Sequence, residues 1–228
     1  MKKIAILGAM EIEIQPLLSK LNSYKEVEYA NNKYYLAEHD GNELVIAYSK
    51  VGKVFSAMTA TIMIEHFGAE LLLFTGVAGG LQDLAVGDMM AATSTLQHDV
   101  DVTAFGYPFG KIPASEVTIA TCSNLLEKAK ETAKEESIDL KTGVIATGDQ
   151  FIHSTEKKMF VINEFNASAI EMEGGSVNLV CNELNVPSLI LRSISDTADG
   201  DAPENFDEFA KMAAERSANF VLKLANRI

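Results

Sequence analysis

Short runs of apolar residues alternate with segments of helical spacing along most of this 228-residue chain. Runs of this kind are typical of strands buried on both faces, so the alternation predicts an α/β sheet covered by helices on each side. The predicted strands are residues 3–8, 34–38, 43–49, 71–74, 88–93, 141–147, 167–171 and 187–195. Asp40, Gly41 and Asn42 predict a hairpin between the second and third strands, so we expect a mixed sheet.

The predicted helices occupy the segments between these strands. They are residues 13–21, 54–64, 124–135, 155–165, 174–184 and a last helix whose apolar stripe is Phe206, Phe209, Ala213, Phe220, Val221 and Leu224. Pro16 predicts that the first helix begins only just before it, and residues 75–80 are expected to form a glycine-rich turn. The sequence contains no repeat and no linker-like segment, so we expect a single domain over residues 1–228.

The composition excludes several classes of partner. The formal net charge is −13, from 32 acidic and 19 basic residues, and a field of that sign repels nucleic acids and anionic membranes. Cys122 and Cys181 are far apart in sequence, as expected for thiols of a cytoplasmic protein. The longest apolar stretch, residues 71–81, is too short to span a bilayer.

Acidic residues recur where the buried strands end. Glu13, Glu173 and Asp196 each follow or finish an apolar run, and ligands of open α/β sheets bind beyond the carboxyl ends of the strands. Burial there raises a carboxyl pKa and allows the group to act as an acid. Each residue also has a structural interpretation, which we favour for any one of them alone. Glu13 and Glu173 could complement helix N-termini, and Asp196 could belong to a turn.

Two other motifs carry less information. The turn at residues 75–80 lacks the Lys-Ser/Thr pair of a P-loop and the spacing of a dinucleotide fingerprint. The run from His98 to Asp101 has metal-ligand chemistry, but no further ligand follows at a familiar spacing. We therefore expect no metal site.

Taken together, the motifs resemble one known family. ILGAMEIEI, FTGVAGGL, QHDVDVTAFGYPFG, GDQFI, EMEG, LRSISDTAD and FDEF are similar to the motifs of 5′-methylthioadenosine/S-adenosylhomocysteine nucleosidases, in the same order. The resemblance runs from residue 4 to about residue 209. It implies a three-layer αβα sandwich of the nucleoside phosphorylase type, a homodimer, and hydrolysis of an adenine nucleoside without a cofactor.

The resemblance also implies roles for the three carboxylates. Asp196 matches the acid that protonates adenine N7, and Glu13 matches the base that activates water. Glu173 matches the carboxylate that accepts hydrogen bonds from the ribose hydroxyls. Adenine is a poor leaving group until it is protonated, so the acid must remain neutral well above the reference Asp pKa of about 3.9.

The remaining implied residues bind the substrate. Phe151 matches a residue that stacks on adenine, and Ile152 matches one whose backbone contacts the edge of the base. Ser195 and Arg192 match residues that help to position Asp196 and Glu173, although Arg192 could be a purely structural ion-pair partner. Ala78 and Gly79 match the floor of the site. The 5′-alkylthio pocket would consist of Met10, Met172 and Phe206, completed by Val102, Phe105 and Pro113 of a neighbouring subunit.

Two other functions remain open at this point. A purine nucleoside phosphorylase shares the fold but needs cationic phosphate donors, and residues 4–19 contain no Lys or Arg. A non-catalytic nucleoside sensor would have no reason to retain all three carboxylates. Substrates could extend to 6-amino-6-deoxyfutalosine, because the GDQFI and QHDVD segments resemble the subgroup that also cleaves it. Val77 departs from the family, many of whose members have Ser at this position.

Overall fold

The computed structural model describes residues 1–199 and 202–228, and the strands of this part form one mixed sheet. The strands are β1 (Lys3–Gly8), β2 (Lys25–Tyr29), β3 (Asn32–His39), β4 (Asn42–Tyr48), β5 (Leu71–Phe74), β6 (Val77–Gly80), β7 (Met89–Gln97), β8 (Thr118–Ala120), β9 (Leu140–Thr147), β10 (Ala169–Glu171) and β11 (Ser188–Asp196). Their order across the sheet is β2-β3-β4-β1-β5-β11-β6-β10-β9-β7-β8, and β11 also pairs with β7.

Helices cover both faces of the sheet. They are α1 (Glu11–Leu18), α2 (Lys53–Glu65), α3 (Ser123–Glu135), α4 (Thr155–Phe165), α5 (Gly174–Glu183) and α6 (Ala202–Ala225). Apolar residues of α1, α3 and α6 share one core cluster with the sheet, and those of α2 and α5 share another. The predicted three-layer αβα sandwich with a mixed central sheet is therefore confirmed. Among the described helices, none is both long and apolar enough to cross a membrane.

The strand directions explain why several chain ends meet at one place. β1, β4, β5, β11 and β6 run parallel to one another, so all five end towards the same edge. β10 is antiparallel to β6 and parallel to β9, so β9 and β10 arrive from the opposite direction. The functional residues were expected at the carboxyl ends of the strands, and the structure brings together strand ends from two oppositely running parts of one sheet.

A bulge at the end of β11 adds a local irregularity. The register of β11 against β6 shifts between Ile194, which pairs with Ala78, and Asp196, which pairs with Gly79. Ser195 is therefore the extra residue. Bulges redirect side chains and are common beside active sites. Here the bulge lies where β11 presents Ser195 and Asp196 to a cavity.

Several predicted elements differ from those observed. Residues 75–80 were expected to form a turn, but Val77–Gly80 is a strand because it pairs with both β10 and β11. The first helix was expected near residue 13 with Pro16 at its start. It begins at Glu11, so Pro16 lies in its second turn, and it ends at Leu18. β7 extends to Gln97, four residues beyond its predicted end at residue 93.

Candidate active site

A cavity of about 440 Å³ opens where these strands end. It is lined by Ala9, Met10, Glu13, Val51, Val77, Ala78, Gly79, Phe151, Ile170, Glu171, Met172, Glu173, Ser195, Asp196, Phe206 and Asp207. The three carboxylates singled out from the sequence are all in this lining. Among the described residues, the lining contains no Lys, Arg or His.

The carboxylate of Glu13 is held by backbone amides of the loop between β1 and α1 and of the start of β6. Its Oε2 accepts hydrogen bonds from the amides of Ala9 at 2.6 Å and Met10 at 2.8 Å, and its Oε1 accepts one from Val77 at 3.0 Å. The close approach requires glycine at position 76, where a Cβ would lie 2.5 Å from Glu13 Oε1. Glu13 is thus near a helix N-terminus, as its structural interpretation held, but its carboxylate also lines the cavity.

Burial dominates the acidity of Glu13. It raises the pKa of Glu13, while the charge of Arg192 and the three amide hydrogen bonds lower it in part. A carboxylate with a raised pKa is a better proton acceptor once it has ionised. Glu13 is therefore suited to take a proton from water or from a hydroxyl group.

Glu173 stands immediately before α5, but it does not cap that helix. Its Oε1 instead accepts a hydrogen bond of 2.8 Å from the amide of Gly52, at the start of α2. Glu171 caps α5, because its Oε2 accepts hydrogen bonds from the amides of Glu173 at 3.1 Å and Gly174 at 2.7 Å. Glu173 thus stands at a helix N-terminus, as its structural interpretation held, but its side chain makes no capping hydrogen bond there and lines the cavity.

The pKa of Glu173 is strongly raised. Burial and the negative charge of Glu171 raise it to about 8, while Arg192 and the Gly52 amide act in the opposite direction. The Glu173 carboxyl therefore changes its charge near neutral pH. Its protonation state depends on the groups that face it from four elements, which are Glu171, Arg192, Gly52 and Glu13.

Arg192 forms an ion pair with Glu171 beside the site, in addition to the effect of its charge on Glu13 and Glu173. Its Nη2 lies 2.5 Å from Glu171 Oε2, and its guanidinium lies 4.1 Å from the ring centroid of Phe74. Thr147 Oγ1 also donates to Glu171. Arg192 was expected to help position Asp196 and Glu173. Within the described residues its ion pair is with Glu171, so it supports Glu173 indirectly and has no hydrogen bond with Asp196.

Asp196 is a further buried carboxyl group of the cavity. Its Oδ1 accepts a hydrogen bond of 2.9 Å from the amide of Ala198, and its Oδ2 accepts one of 2.9 Å from Ser195 Oγ. Burial raises the pKa of Asp196, and these two hydrogen bonds offset only part of that effect. A neutral carboxyl group can therefore persist at higher pH than in an ordinary Asp, as a proton donor requires.

Aromatic and sulfur-containing side chains form the apolar part of the cavity. The rings of Phe151 and Phe206 meet edge to face, with centroids 5.9 Å apart. Met10 and Met172 also line the cavity, and Phe151 remains 43 % exposed. An exposed aromatic ring suits contact with a flat heterocycle, and flexible thioethers suit an apolar substituent.

The structure places the other sequence-predicted residues as follows. Ala78, Gly79 and Ser195 line the cavity, whereas Ile152 is buried in the core beside α4. Val102, Phe105 and Pro113 are not in the lining within this chain, and Phe105 is 80 % exposed. Among the described residues, which include His98–Asp101, no three His, Cys, Asp or Glu side chains lie close enough together to hold a metal ion.

Some lining residues were not anticipated from the sequence. Val51 follows β4, which runs parallel to β1, so the argument applied to the other strand ends could have found it. Asp207 lies next to Phe206 at the start of α6. Ala9 and Ile170 are small or apolar residues with no chemical signal of their own. Glu171 was identified only as part of the EMEG motif. Nothing in that motif shows which of its two glutamates hydrogen-bonds to the start of α5 and which is available to a ligand in the cavity.

Buried carboxyl groups beside an exposed aromatic ring are typical of an enzyme site for a small organic molecule. The comparisons with known proteins agree. A family model described as the phosphorylase superfamily matches residues 3–226. The chain therefore belongs to the phosphorylase superfamily.

Three relatives are similar over their whole length. A Campylobacter jejuni protein named aminodeoxyfutalosine nucleosidase is 52 % identical over 229 residues, with 100 % of both chains covered. The structure of a candidate 5′-methylthioadenosine/S-adenosylhomocysteine nucleosidase from Francisella philomiragia is 75 % identical, with a TM-score of 0.99 and 100 % of both chains covered. A Helicobacter pylori mutant solved with 5′-methylthioadenosine in its active site is 46 % identical, with a TM-score of 0.98 and 100 % of both chains covered.

Proposed function

We propose that this protein uses water to cleave the N-glycosidic bond of 5′-methylthioadenosine and S-adenosylhomocysteine. The products are adenine and the corresponding 5′-thioribose. The observation that carries this proposal is a cavity with four buried carboxyl groups, of which only Glu171 is ion-paired with Arg192, and, among the described residues, no basic side chain in its lining. The relatives named as nucleosidases support the same chemistry.

The other three carboxyl groups divide the reaction between them. Asp196 donates its proton to adenine N7 as the bond between ribose C1′ and adenine N9 breaks, so the bonding electrons leave with a neutral base. The sugar becomes oxocarbenium-like, and a water oxygen adds to C1′ from the other face. Glu13 accepts the proton that this water loses. Glu173 accepts hydrogen bonds from the ribose hydroxyls and fixes the sugar.

The substrate range includes a second candidate. The relatives from Campylobacter jejuni and Helicobacter pylori that are 46–52 % identical carry the name aminodeoxyfutalosine nucleosidase. We therefore propose 6-amino-6-deoxyfutalosine as a further substrate, cleaved at the same type of bond by the same residues. Separate kcat/KM values for the three nucleosides establish their order.

We also propose that the enzyme is a homodimer with shared active sites. Large apolar side chains are exposed on and before α2, where Val51 is 47 %, Val54 77 % and Phe55 43 % exposed, and Phe105 is 80 % exposed. Exposed apolar patches of this kind mark protein interfaces. Val51 lines the cavity, so a partner covering this face would meet the cavity mouth.

The unpaired thiols of Cys122 and Cys181 support a cytoplasmic location.

The Asp196→Asn variant tests the role of the acid. An amide keeps the shape of the side chain but cannot protonate N7, so adenine release from 5′-methylthioadenosine should fall by about 10²- to 10⁴-fold. Binding of the nucleoside, measured by calorimetry, should change little. The control is Asp139→Asn, whose exposed carboxylate pairs with Lys141 at 2.7 Å. Turnover by Asp196→Asn within a few-fold of the wild-type rate would remove Asp196 as the acid.

A further inference from the structure

Three residues form a closed ring of hydrogen bonds at the rim of the cavity, outside its lining, and two of the three bonds are donated by backbone amides. Asp99 Oδ1 accepts a hydrogen bond of 2.7 Å from Lys53 Nζ, and Asp99 Oδ2 accepts one of 2.9 Å from the amide of Asp149. Asp149 Oδ1 in turn accepts one of 2.8 Å from the amide of Lys53. We call Lys53, Asp99 and Asp149 the rim ring. It joins the start of α2 to the segments that follow β7 and β9.

The rim ring is more protected than an ordinary surface ion pair. The side chains of Lys53 and Asp99 are 19 % and 10 % exposed. Burial alone would raise the pKa of Asp99, but the hydrogen bonds from Lys53 Nζ and the Asp149 amide outweigh it, so this pKa lies below its ordinary value. Burial lowers the pKa of the adjacent His98. Asp99 is therefore ionised in the folded enzyme at neutral pH. Hydrogen bonds to an ionised group are stronger than those between neutral groups.

The rim ring lies next to two groups that the proposed reaction uses. Gly52, immediately before Lys53, donates its amide hydrogen to Glu173 Oε1 at 2.8 Å. Its φ of +103° favours glycine, and a Cβ there would lie 3.0 Å from Asp149 Oδ1. Asp149 stands two residues before Phe151 and fixes the start of that loop. The ring thus fixes the position of the Gly52 amide, which donates to Glu173, relative to the loop that carries Phe151.

We propose that Lys53, Asp99 and Asp149 are positioning residues that hold the Gly52 amide on Glu173 and the Phe151 loop over the cavity. This inference rests on the proposed function, because it assigns the ring to ribose and adenine binding in that reaction. The ring touches neither the substrate nor the reacting atoms, so it acts through Gly52 and Phe151. Opening the ring should weaken substrate binding more than the chemical step.

Opening the ring has a second consequence for Glu173. The Gly52 amide stabilises the ionised carboxylate and so lowers its pKa, against the effects of burial and Glu171. Losing this donor raises the pKa of Glu173. The ionised form that accepts hydrogen bonds from ribose then appears only at higher pH. A purely structural ion pair at the rim would not move this pH dependence.

The first test is Asp99→Asn, with Asp139→Asn as the matched control. The two donors bond to different oxygens of Asp99, and Asn replaces one of these oxygens by an NH2 group that cannot accept a hydrogen bond. For Asp99→Asn we expect KM for 5′-methylthioadenosine to rise about tenfold, equivalent to about 1.4 kcal/mol, with kcat changed much less. The acid limb of kcat/KM should move to higher pH. Asp139→Asn removes an equally short but exposed Asp–Lys pair and should change neither.

The second test is a pair of variants at Asp149. Asp149→Asn keeps an oxygen that can accept from the Lys53 amide, whereas Asp149→Ala removes the acceptor. We expect the Ala variant to reproduce the higher KM and the shifted acid limb, and the Asn variant to restore most of both. This pair also covers the case in which Asp99→Asn does not fold, which a thermal melt reveals.

The two proposals fail in different ways. Adenine release by the wild type reports on the proposed function, whereas the ratio of variant to wild type reports on the ring. If Asp99→Asn and Asp149→Ala fold, keep KM within twofold of the wild-type value and leave the pH position of the acid limb unchanged, the rim ring has no positioning role. A fall in kcat at unchanged KM and pH profile would also overturn it.

Discussion

Glu173 is buried as a carboxyl group whose pKa is raised to about 8, from an ordinary value of 4.5. Between these two values the unfolded chain loses this proton while the folded chain retains it. The folded state then binds more protons, so the free energy of unfolding falls as the pH rises from about 4.5 to about 8. The contribution of this carboxyl group to stability is therefore greatest at low pH and is lost as the pH approaches 8.

Glu173→Gln should remove this dependence. The amide oxygen can still accept the hydrogen bond from Gly52, but the side chain no longer titrates. We expect the variant to gain stability relative to the wild type as the pH rises from 5 towards 8, as measured by urea unfolding at each pH. Glu13 and Asp196 also have raised pKa values but are present in both proteins, so the difference between the two proteins reports on Glu173 and on its interaction with Glu13. A stability difference that stays constant with pH would show that Glu173 does not titrate in this range.

At the scale of single residues, the sequence could predict the three carboxylates but not their surroundings. Glu13, Glu173 and Asp196 follow buried strands, which is a pattern visible in the sequence. The helix cap of α5 is Glu171 rather than Glu173, although both stand in the same EMEG motif. Two carboxylates that are two residues apart look alike in sequence, and only the path of the chain decides which one faces the cavity.

At the scale of elements, local turn chemistry decided which hairpin could be predicted. The loop between β3 and β4 is Asp40–Gly41, with φ values of +46° and +82°, as expected for a two-residue hairpin turn. The loop between β2 and β3 is Ala30–Asn31, with φ values of +49° and +57°. It has the same left-handed geometry without a glycine, so β2 carried no turn signal and was missed.

Tertiary pairing decided the glycine-rich segment. Val77–Gly80 has the composition of a turn, but its backbone is taken up by β11 on one side and β10 on the other. Small residues are needed there for close contact: a Cβ on Gly79 would lie 2.8 Å from Asp196 Oδ1. The same glycines that predicted a turn therefore allow β6 to lie in close contact with the carboxyl group of Asp196.

The short helical turn at Thr103–Phe105 carries the prediction about the dimer. Phe105 is 80 % exposed, so within one chain its removal should not alter the cavity. If a partner subunit completes the 5′ pocket, Phe105→Ala should raise KM for 5′-methylthioadenosine and leave the monomer fold intact. Steady-state kinetics and light scattering measure the two effects. An unchanged KM in a dimeric variant would count against a shared pocket.

At the scale of the whole molecule, the charge distribution separates hydrolysis from phosphorolysis. The chain carries a net charge of −13, and its arginines are Arg192, Arg216 and Arg227. Arg192 is committed to Glu171 beneath the cavity. The cavity lining has four other acidic residues besides Glu171, and none that is basic within the described part of the chain. Such a site repels phosphate and favours neutral water as the nucleophile.

The most direct test is adenine release from 5′-methylthioadenosine by the purified protein, with and without added phosphate. We predict the same rate in both conditions, with free 5-methylthioribose as the sugar product. Release that requires phosphate and yields the sugar 1-phosphate would make the protein a phosphorylase and contradict the role given to Glu13.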